Sequence, residues 1–187
     1  MTKYVAFLKQ VYFRKKFIKM AELKNFFEDI GFQNVETVFT SGNVIFNSQE
    51  NLTCLHEFIS NELKKHYEYN IDVFLKTENN IKSIIENNPY ELKNNYYIQT
   101  FICYNNFEKT LYNEFSKVNL IENEEFQLNN NFLYWTYYKP ARFESNILKI
   151  TSRESVKHDF TLRTIGTLKK LNFSDTTKGS FFSVKHD

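Results

Sequence analysis

The feature that most constrains the fold is the stretch from Val35 to Asn47, in which two β-branched and aromatic runs flank a short Ser-Gly-Asn sequence. Such runs on either side of a tight turn are typical of a β-hairpin. Gly42 and Asn43 are residue types that adopt positive φ at low cost, which gives the turn a physical basis. We therefore predict a β-hairpin here and expect the preceding strand and helix to pack on it.

The segments around this hairpin follow the order of a ferredoxin-like, or split βαβ, unit. Residues 4–8 predict a strand that is apolar on both faces and therefore central in its sheet. Residues 20–30 predict an amphipathic helix that ends at Gly31, residues 51–67 a second helix, and residues 72–75 a fourth strand. The resulting β-α-β-β-α-β order is complete by about residue 76.

The second half repeats this plan less completely. Residues 78–87 predict a short helix, 96–104 a strand, 107–118 a helix and 125–138 a second hairpin with an Asn turn. Apolar residues recur at i+3 over 162–171, which predicts a last helix and leaves this half without a final strand. We therefore predict an α+β fold of two packed ferredoxin-like (split βαβ) subdomains with mainly antiparallel sheets, the second incomplete. They span residues 1–77 and 78–172, and a partly mobile tail follows at 173–187.

Composition and charge restrict the class of protein. The formal net charge of the 187-residue chain is +2, too small to indicate nucleic-acid or membrane binding through overall charge. Cys54 and Cys103 are too few for a disulfide framework, and we expect both to be buried thiols in a reducing compartment. The sequence shows no signal peptide and no apolar stretch of transmembrane length. We expect a cytoplasmic protein without a membrane partner. The sequence does not indicate its oligomeric state.

The segment from Lys9 to Lys19 is a candidate anion-binding loop, because it combines basic and aromatic residues and contains no acidic residue. In a split βαβ unit strands one and two run parallel, so the loop after strand one and the turn after strand two lie at the same end of the sheet. We therefore expect this segment to adjoin Ser41 and Asn43. Cations, hydroxyls and amide donors together bind phosphates or carboxylates. A solvated loop whose aromatic residues cover the core is the structural alternative.

Catalytic and metal-binding patterns are absent from the sequence. There is no Cys-x-x-Cys motif, phosphate loop or nucleophile elbow, and His56 and His66 lack the spacing of metal ligands on one helix. We therefore predict no metal site, no cofactor and no recognisable catalytic residue. Whether the chain is an enzyme stays open.

Several short motifs occur in order along the chain: the first strand, the step Asn88-Pro89-Tyr90 and, above all, Ser41-Gly42-Asn43-Val44 with Phe46. These motifs resemble those of a family known as domain of unknown function 1697, or DUF1697. The segment Thr161–Leu171 is similar to the family's Thr-Thr-Arg-Asn-Trp-x-Thr-x-x-Lys-Leu signature, although Thr164-Ile165 replaces Asn-Trp. The family's glycine-rich loop after strand one has no glycine here. The resemblance implies an α+β fold built from ferredoxin-like units and a cytoplasmic bacterial setting, and no reaction.

These observations favour a non-enzymatic binding protein whose partner is an anionic ligand, either nucleic acid or a nucleotide. The absence of glycine from the loop after strand one favours a broad charged surface over a tight phosphate-binding loop. One alternative is an enzyme, or a degenerate enzyme, acting on a small phosphorylated or carboxylated molecule. Another is a protein-interaction module that uses exposed aromatic residues. The predicted ligand-binding residues are Lys9, Arg14, Lys15, Lys16, Ser41, Asn43 and Arg163.

Overall fold

The computed structural model of the chain describes residues 1–9, 11–13 and 16–171, and of Tyr12, Phe13 and Lys16 it describes the backbone alone. Arg14, Lys15 and the tail expected at 173–187 lie outside the described residues. The elements in chain order are β1 (Thr2–Lys9), β2 (Tyr12–Phe13), β3 (Lys16–Phe17), α1 (Met20–Asp29), β4 (Gln33–Val38), β5 (Asn43–Ser48), α2 (Leu52–Tyr67), β6 (Asp72–Thr77), α3 (Glu78–Glu86), β7 (Tyr96–Cys103), α4 (Glu108–Phe115), β8 (Glu124–Asn129), β9 (Phe132–Tyr138), a 3₁₀ helix (Lys139–Glu144), α5 (Asn146–Thr151), β10 (Phe160–Thr164) and α6 (Ile165–Lys169).

The first sheet confirms the predicted ferredoxin-like unit. Its strand order is β4-β5-β1-β6, and β1 pairs antiparallel with both β5 and β6. β1 is therefore central, as its apolar sequence predicts. Tyr4, Ala6 and Leu8 pack with α1 and α2, whereas Val5 and Phe7 belong to a second cluster on the opposite face.

The second sheet has the same strand order, β10-β7-β9-β8, and is also antiparallel. The α+β fold of two such units is thus confirmed, but the prediction that the second lacks a final strand was wrong. Phe160–Thr164 forms β10 beside β7, and the helical part of the predicted last helix is Ile165–Lys169. β10 buries residues on both faces, so its sequence does not alternate as a half-exposed strand would.

The two units share an apolar core. Phe7 and Ile45 from the first sheet belong to the same cluster as Ile98 and Tyr134 from the second, and α3 and α6 add apolar residues to it. α4 and α5 pack with the opposite face of the second sheet. α3 begins directly after β6 with Thr77 as its N-cap, and the domain boundary near this residue stays a prediction.

Two further expectations concern the cysteines and the membrane. Cys103 is buried as expected, but Cys54 is exposed in the first turn of α2, so the prediction of a buried thiol was wrong there. This position precedes the buried stripe of α2, which begins at Leu55. Among the helices of the described residues, none has the length and apolar content needed to span a membrane.

Candidate functional site

The segment after β1 and the turn between β4 and β5 lie side by side, as the topology predicts. The backbone N–H of Leu8 donates to the carbonyl oxygen of Gly42 at 2.7 Å. The φ of Gly42 is +71°, and a Cβ atom added there would lie 2.9 Å from Cγ1 of Val11. Glycine at this position therefore permits both the positive φ and the close approach of the turn to Val11. Phe39 is the other residue of the turn with positive φ, whereas Asn43 is the buried first residue of β5.

The basic segment contains a two-stranded ribbon formed by β2 and β3. The backbone N–H of Ile18 donates to the carbonyl oxygen of Val11 at 2.9 Å, which closes the base of the ribbon. Both side chains are buried in the core beneath the first sheet, while Phe17 is 67% exposed. The core therefore anchors the ribbon base, and the predicted binding residue Lys16 is the first residue of β3.

Arg163, from β10 of the second unit, connects that unit to this end of the first sheet. Its Nε–H donates to Oδ1 of Asn43 at 2.6 Å. Its Nη2 donates to the carbonyl oxygens of Leu8 at 3.2 Å and of Ser41 at 2.9 Å. One guanidinium thus holds both the end of β1 and the hairpin turn.

The remaining N–H groups of Arg163 bond to its own strand. Nη1 donates to Oγ1 of Thr161 and to the carbonyl oxygen of Leu162, both at 2.8 Å. All five N–H groups are therefore bonded within the protein, to acceptors that carry no charge. The guanidinium also lies 5.3 Å from the ring centre of Phe7. Burial lowers the pKa of Arg163 to about 10, so the group remains a cation at neutral pH.

Asn43 and Ser41 complete the turn. The Nδ2 of Asn43 donates to the carbonyl oxygen of Val38 at 2.8 Å and to Oγ of Ser41 at 3.0 Å. Asn43 is fully buried, and the hydrogen bonds of its side-chain amide are made within the hairpin and with Arg163. Ser41 is exposed and can present its hydroxyl to solvent.

Lys9 makes a second connection between the units. Its Nζ donates to the carbonyl oxygen of Phe160 at 3.0 Å and to that of Lys157, and it lies 4.7 Å from the Phe160 ring centre. Burial lowers the pKa of Lys9. The negative charge of Asp72 opposes this shift, and the positive charges of Lys157 and Arg163 add to it. The structure thus brings Lys9, Asn43 and Arg163 to one place, with their polar groups bonded inside the protein.

A cleft that no sequence pattern indicates lies between α2, the end of β6 and the end of β7. Its volume is about 570 Å³, and its polar lining includes His56, Lys76, Tyr104 and Asp159. The Tyr104 hydroxyl lies 3.0 Å from Nε2 of His56 and accepts the backbone N–H of Val73 at 3.1 Å. These residues come from separate elements, so no local motif could have predicted their proximity.

A buried carboxyl group lies behind this cleft. The Nζ of Lys76 is 4.0 Å from Oε1 of Glu108 and donates to the carbonyl oxygen of Cys103 at 3.3 Å. Burial raises the pKa of Glu108 and of the Cys103 thiol. In the described part of the chain, no three His, Cys, Asp or Glu side chains are arranged to hold a metal ion.

Comparison with protein families identifies residues 1–134 with the family described as Protein of unknown function (DUF1697). The match includes the basic segment and the first hairpin. The similar segment Thr161–Leu171 lies beyond it, so that part of the resemblance stays a prediction.

Among solved structures, the chain is similar to the conserved bacterial protein SP0830 from Streptococcus pneumoniae. The TM-score is 0.76 at 19% sequence identity, and the alignment covers 91% of this chain and 96% of that one. At this identity the likeness shows the fold. A comparison with curated proteins found no match.

Proposed function

The chain belongs to the DUF1697 family, whose description assigns no activity, and we propose that it is a non-enzymatic binding protein for an anionic ligand, nucleic acid or a nucleotide. The proposed surface consists of the basic segment Lys9–Lys19 and the adjoining turn at Ser41. The observation that carries the proposal is the Arg163 guanidinium, a buried cation whose five acceptors are all uncharged. Its positive potential adds to that of the basic segment and attracts an anion to this end of the sheet.

The contacts divide the predicted residues into two roles. We propose that Lys9, Asn43 and Arg163 are positioning residues, because their polar groups are bonded within the protein. Arg163 in particular holds the hairpin turn against the end of β1. The residues that we propose to contact the ligand are Arg14, Lys15, Lys16 and Ser41.

Exposed aromatic residues near these cations favour a nucleic-acid strand over a small inorganic anion. Phe17, the last residue of β3, is 67% exposed, and Phe39 in the hairpin turn is 45% exposed. The Nζ of Lys170 lies 5.6 Å from the Phe39 ring centre. Basic surfaces combined with aromatic side chains bind single strands, because the cations contact phosphates and the rings stack on bases.

The test is fluorescence anisotropy with labelled single-stranded RNA, single-stranded DNA and duplex DNA. A Lys15→Glu/Lys16→Glu variant should lose binding while keeping its fold by circular dichroism. The matched control is Lys64→Glu/Lys65→Glu, which makes the same charge change at two adjacent exposed residues of α2. Equal loss in both variants would show a general charge effect, and an unfolded Lys15→Glu/Lys16→Glu variant would show that the segment is structural; either result contradicts the proposal.

An enzyme acting on a small phosphorylated or carboxylated molecule is the second candidate, because the cleft beside Lys76 has a suitable size. Its volume of about 570 Å³ falls within the range of about 300–1,000 Å³ typical of small-molecule sites. Lys76 and His56 offer an ammonium and an imidazole to an anionic group. If the Lys15→Glu/Lys16→Glu variant kept all anion binding, this cleft would become the better candidate.

A protein-interaction module remains the third candidate, and absence of nucleic-acid binding at low salt would favour it. We also propose a cytoplasmic, bacterial setting. The free thiols Cys54 and Cys103 are compatible with a reducing compartment.

A further inference from the structure

A second pocket lies on the second unit, and its described lining contains no residue of the basic segment. Tyr96, Tyr97 and Ile98 at the start of β7 form one part of its wall, and Tyr90 and Ile165 contribute to the rest. Its volume is about 250 Å³, below the range of about 300–1,000 Å³ typical of sites that enclose a whole drug-sized ligand. The pocket therefore suits a single ring system whose substituents remain at the rim.

The charged residues that line this pocket are both cationic. They are Lys139 and Lys169, and the described lining contains no aspartate or glutamate. The Nζ of Lys139 lies 4.4 Å from the ring centre of Tyr97, which is 39% exposed. Within the described residues, neither lysine forms an ion pair with a carboxylate. An aromatic wall with two ammonium groups and no acid is complementary to a planar ring that carries an anionic group.

We propose that this pocket binds a nucleoside monophosphate, with the base against Tyr97 and the phosphate between Lys139 and Lys169. The proposal stands on this pocket's own lining and does not depend on the basic segment. Any nucleobase can stack on an aromatic ring, and a phosphate at the rim pairs with the two ammonium groups.

The test is a titration of the ¹⁵N-labelled full chain with AMP, followed by amide chemical shifts. Saturable shifts at Tyr97, Gly166 and Lys169 are expected, with weaker binding of adenosine, which lacks the anion, and of ribose 5-phosphate, which lacks the base. A Lys139→Ala/Lys169→Ala variant should bind AMP about tenfold more weakly, since it loses both charge contacts. The matched control is Lys64→Ala/Lys65→Ala on the exposed surface of α2, which should bind as the wild type does.

A pair of substitutions separates the stacking contact from folding. Tyr97→Phe keeps the ring and should keep AMP binding, whereas Tyr97→Ala should lose it. Equal affinity for AMP and ribose 5-phosphate would overturn the assignment of a base site, and no saturable shift at millimolar AMP would overturn the pocket as a site. In the Lys15→Glu/Lys16→Glu variant, AMP should shift the amides of Tyr97, Gly166 and Lys169 as it does in the wild type, because these residues line this pocket and do not belong to the basic segment. Failure of this proposal is therefore distinguishable from failure of the proposed function.

Discussion

Replacing Arg163 by methionine should destabilise the protein strongly, because this side chain joins the two units. The change removes three hydrogen bonds to the first unit, which involve the carbonyl oxygens of Leu8 and Ser41 and Oδ1 of Asn43. Methionine has a similar length and no donor, so these acceptors lose their partner, and the contact of the guanidinium with the Phe7 ring is lost as well.

The expected loss follows from counting these bonds. A hydrogen bond within a protein contributes about 1 kcal/mol net, and bonds from charged donors contribute somewhat more. Burial lowers the pKa of Arg163 to about 10, so the cost of dehydrating the guanidinium offsets part of its hydrogen-bond energy. We therefore count about 1 kcal/mol for each bond to the first unit and expect a loss of about 3 kcal/mol. That is a large share of the roughly 5–15 kcal/mol by which domains are stable.

Urea unfolding followed by the fluorescence of Trp135 measures this loss. Trp135 is the chain's single tryptophan and is buried in the second unit, so it reports on the unit that contains Arg163. With a slope of about 2 kcal/mol per molar urea, the midpoint should fall by about 1.5 M. Arg163→Lys should also destabilise, because an ammonium cannot reproduce the planar guanidinium fork.

The matched control is Arg153→Met, which removes an arginine whose side chain is 55% exposed and lies 3.7 Å from Glu114. Exposed ion pairs contribute about 0–1 kcal/mol, so its midpoint should move little. A shift for Arg163→Met no larger than that of the control would refute the role of Arg163 as a link between the units.

Two other substitutions test the turn and the buried carboxyl group. Gly42→Ala should lower the free energy of unfolding, measured in urea, by about 1–3 kcal/mol, because Gly42 has positive φ and an added Cβ would lie 2.9 Å from Val11. Gly166→Ala, where the nearest atom to an added Cβ is 3.8 Å away, should change it little. Equal effects of the two substitutions would contradict the close-packing argument. Burial raises the pKa of Glu108, so its contribution to stability is present at acidic pH and is lost as pH rises through the native pKa. Urea midpoints measured from pH 4 to pH 8 should therefore fall for the wild type relative to Glu108→Gln, and a constant difference would contradict this linkage.

The parts of the fold that local patterns determine could be predicted from the sequence. The hairpin at Val35–Asn47 combines β-branched runs with a glycine at positive φ, and β1 is apolar on both faces. The ferredoxin-like order follows from these elements. It also places the segment after β1 beside the hairpin turn, and the bond from Leu8 to Gly42 confirms this placement.

The parts that depend on long-range contacts could not be predicted. Phe160–Thr164 is a strand because it pairs with β7, although its apolar residues continue the i+3 pattern of the following helix. Arg163 is among the predicted ligand-binding residues, but its role as a buried link between the units could not be predicted, because its partner Asn43 lies 120 positions away. The cleft beside Lys76 combines residues of separate elements in the same way.

The salt dependence of single-stranded RNA binding tests the proposed function most directly. If Arg14, Lys15 and Lys16 each neutralise one phosphate, the logarithm of the association constant should fall with the logarithm of salt concentration with a slope of about −2. The Lys15→Glu/Lys16→Glu variant should bind more weakly and with a slope closer to zero, while Lys64→Glu/Lys65→Glu should keep the wild-type slope. No binding at low salt, or the same slope in all three proteins, would contradict the proposal that the basic segment binds an anionic strand.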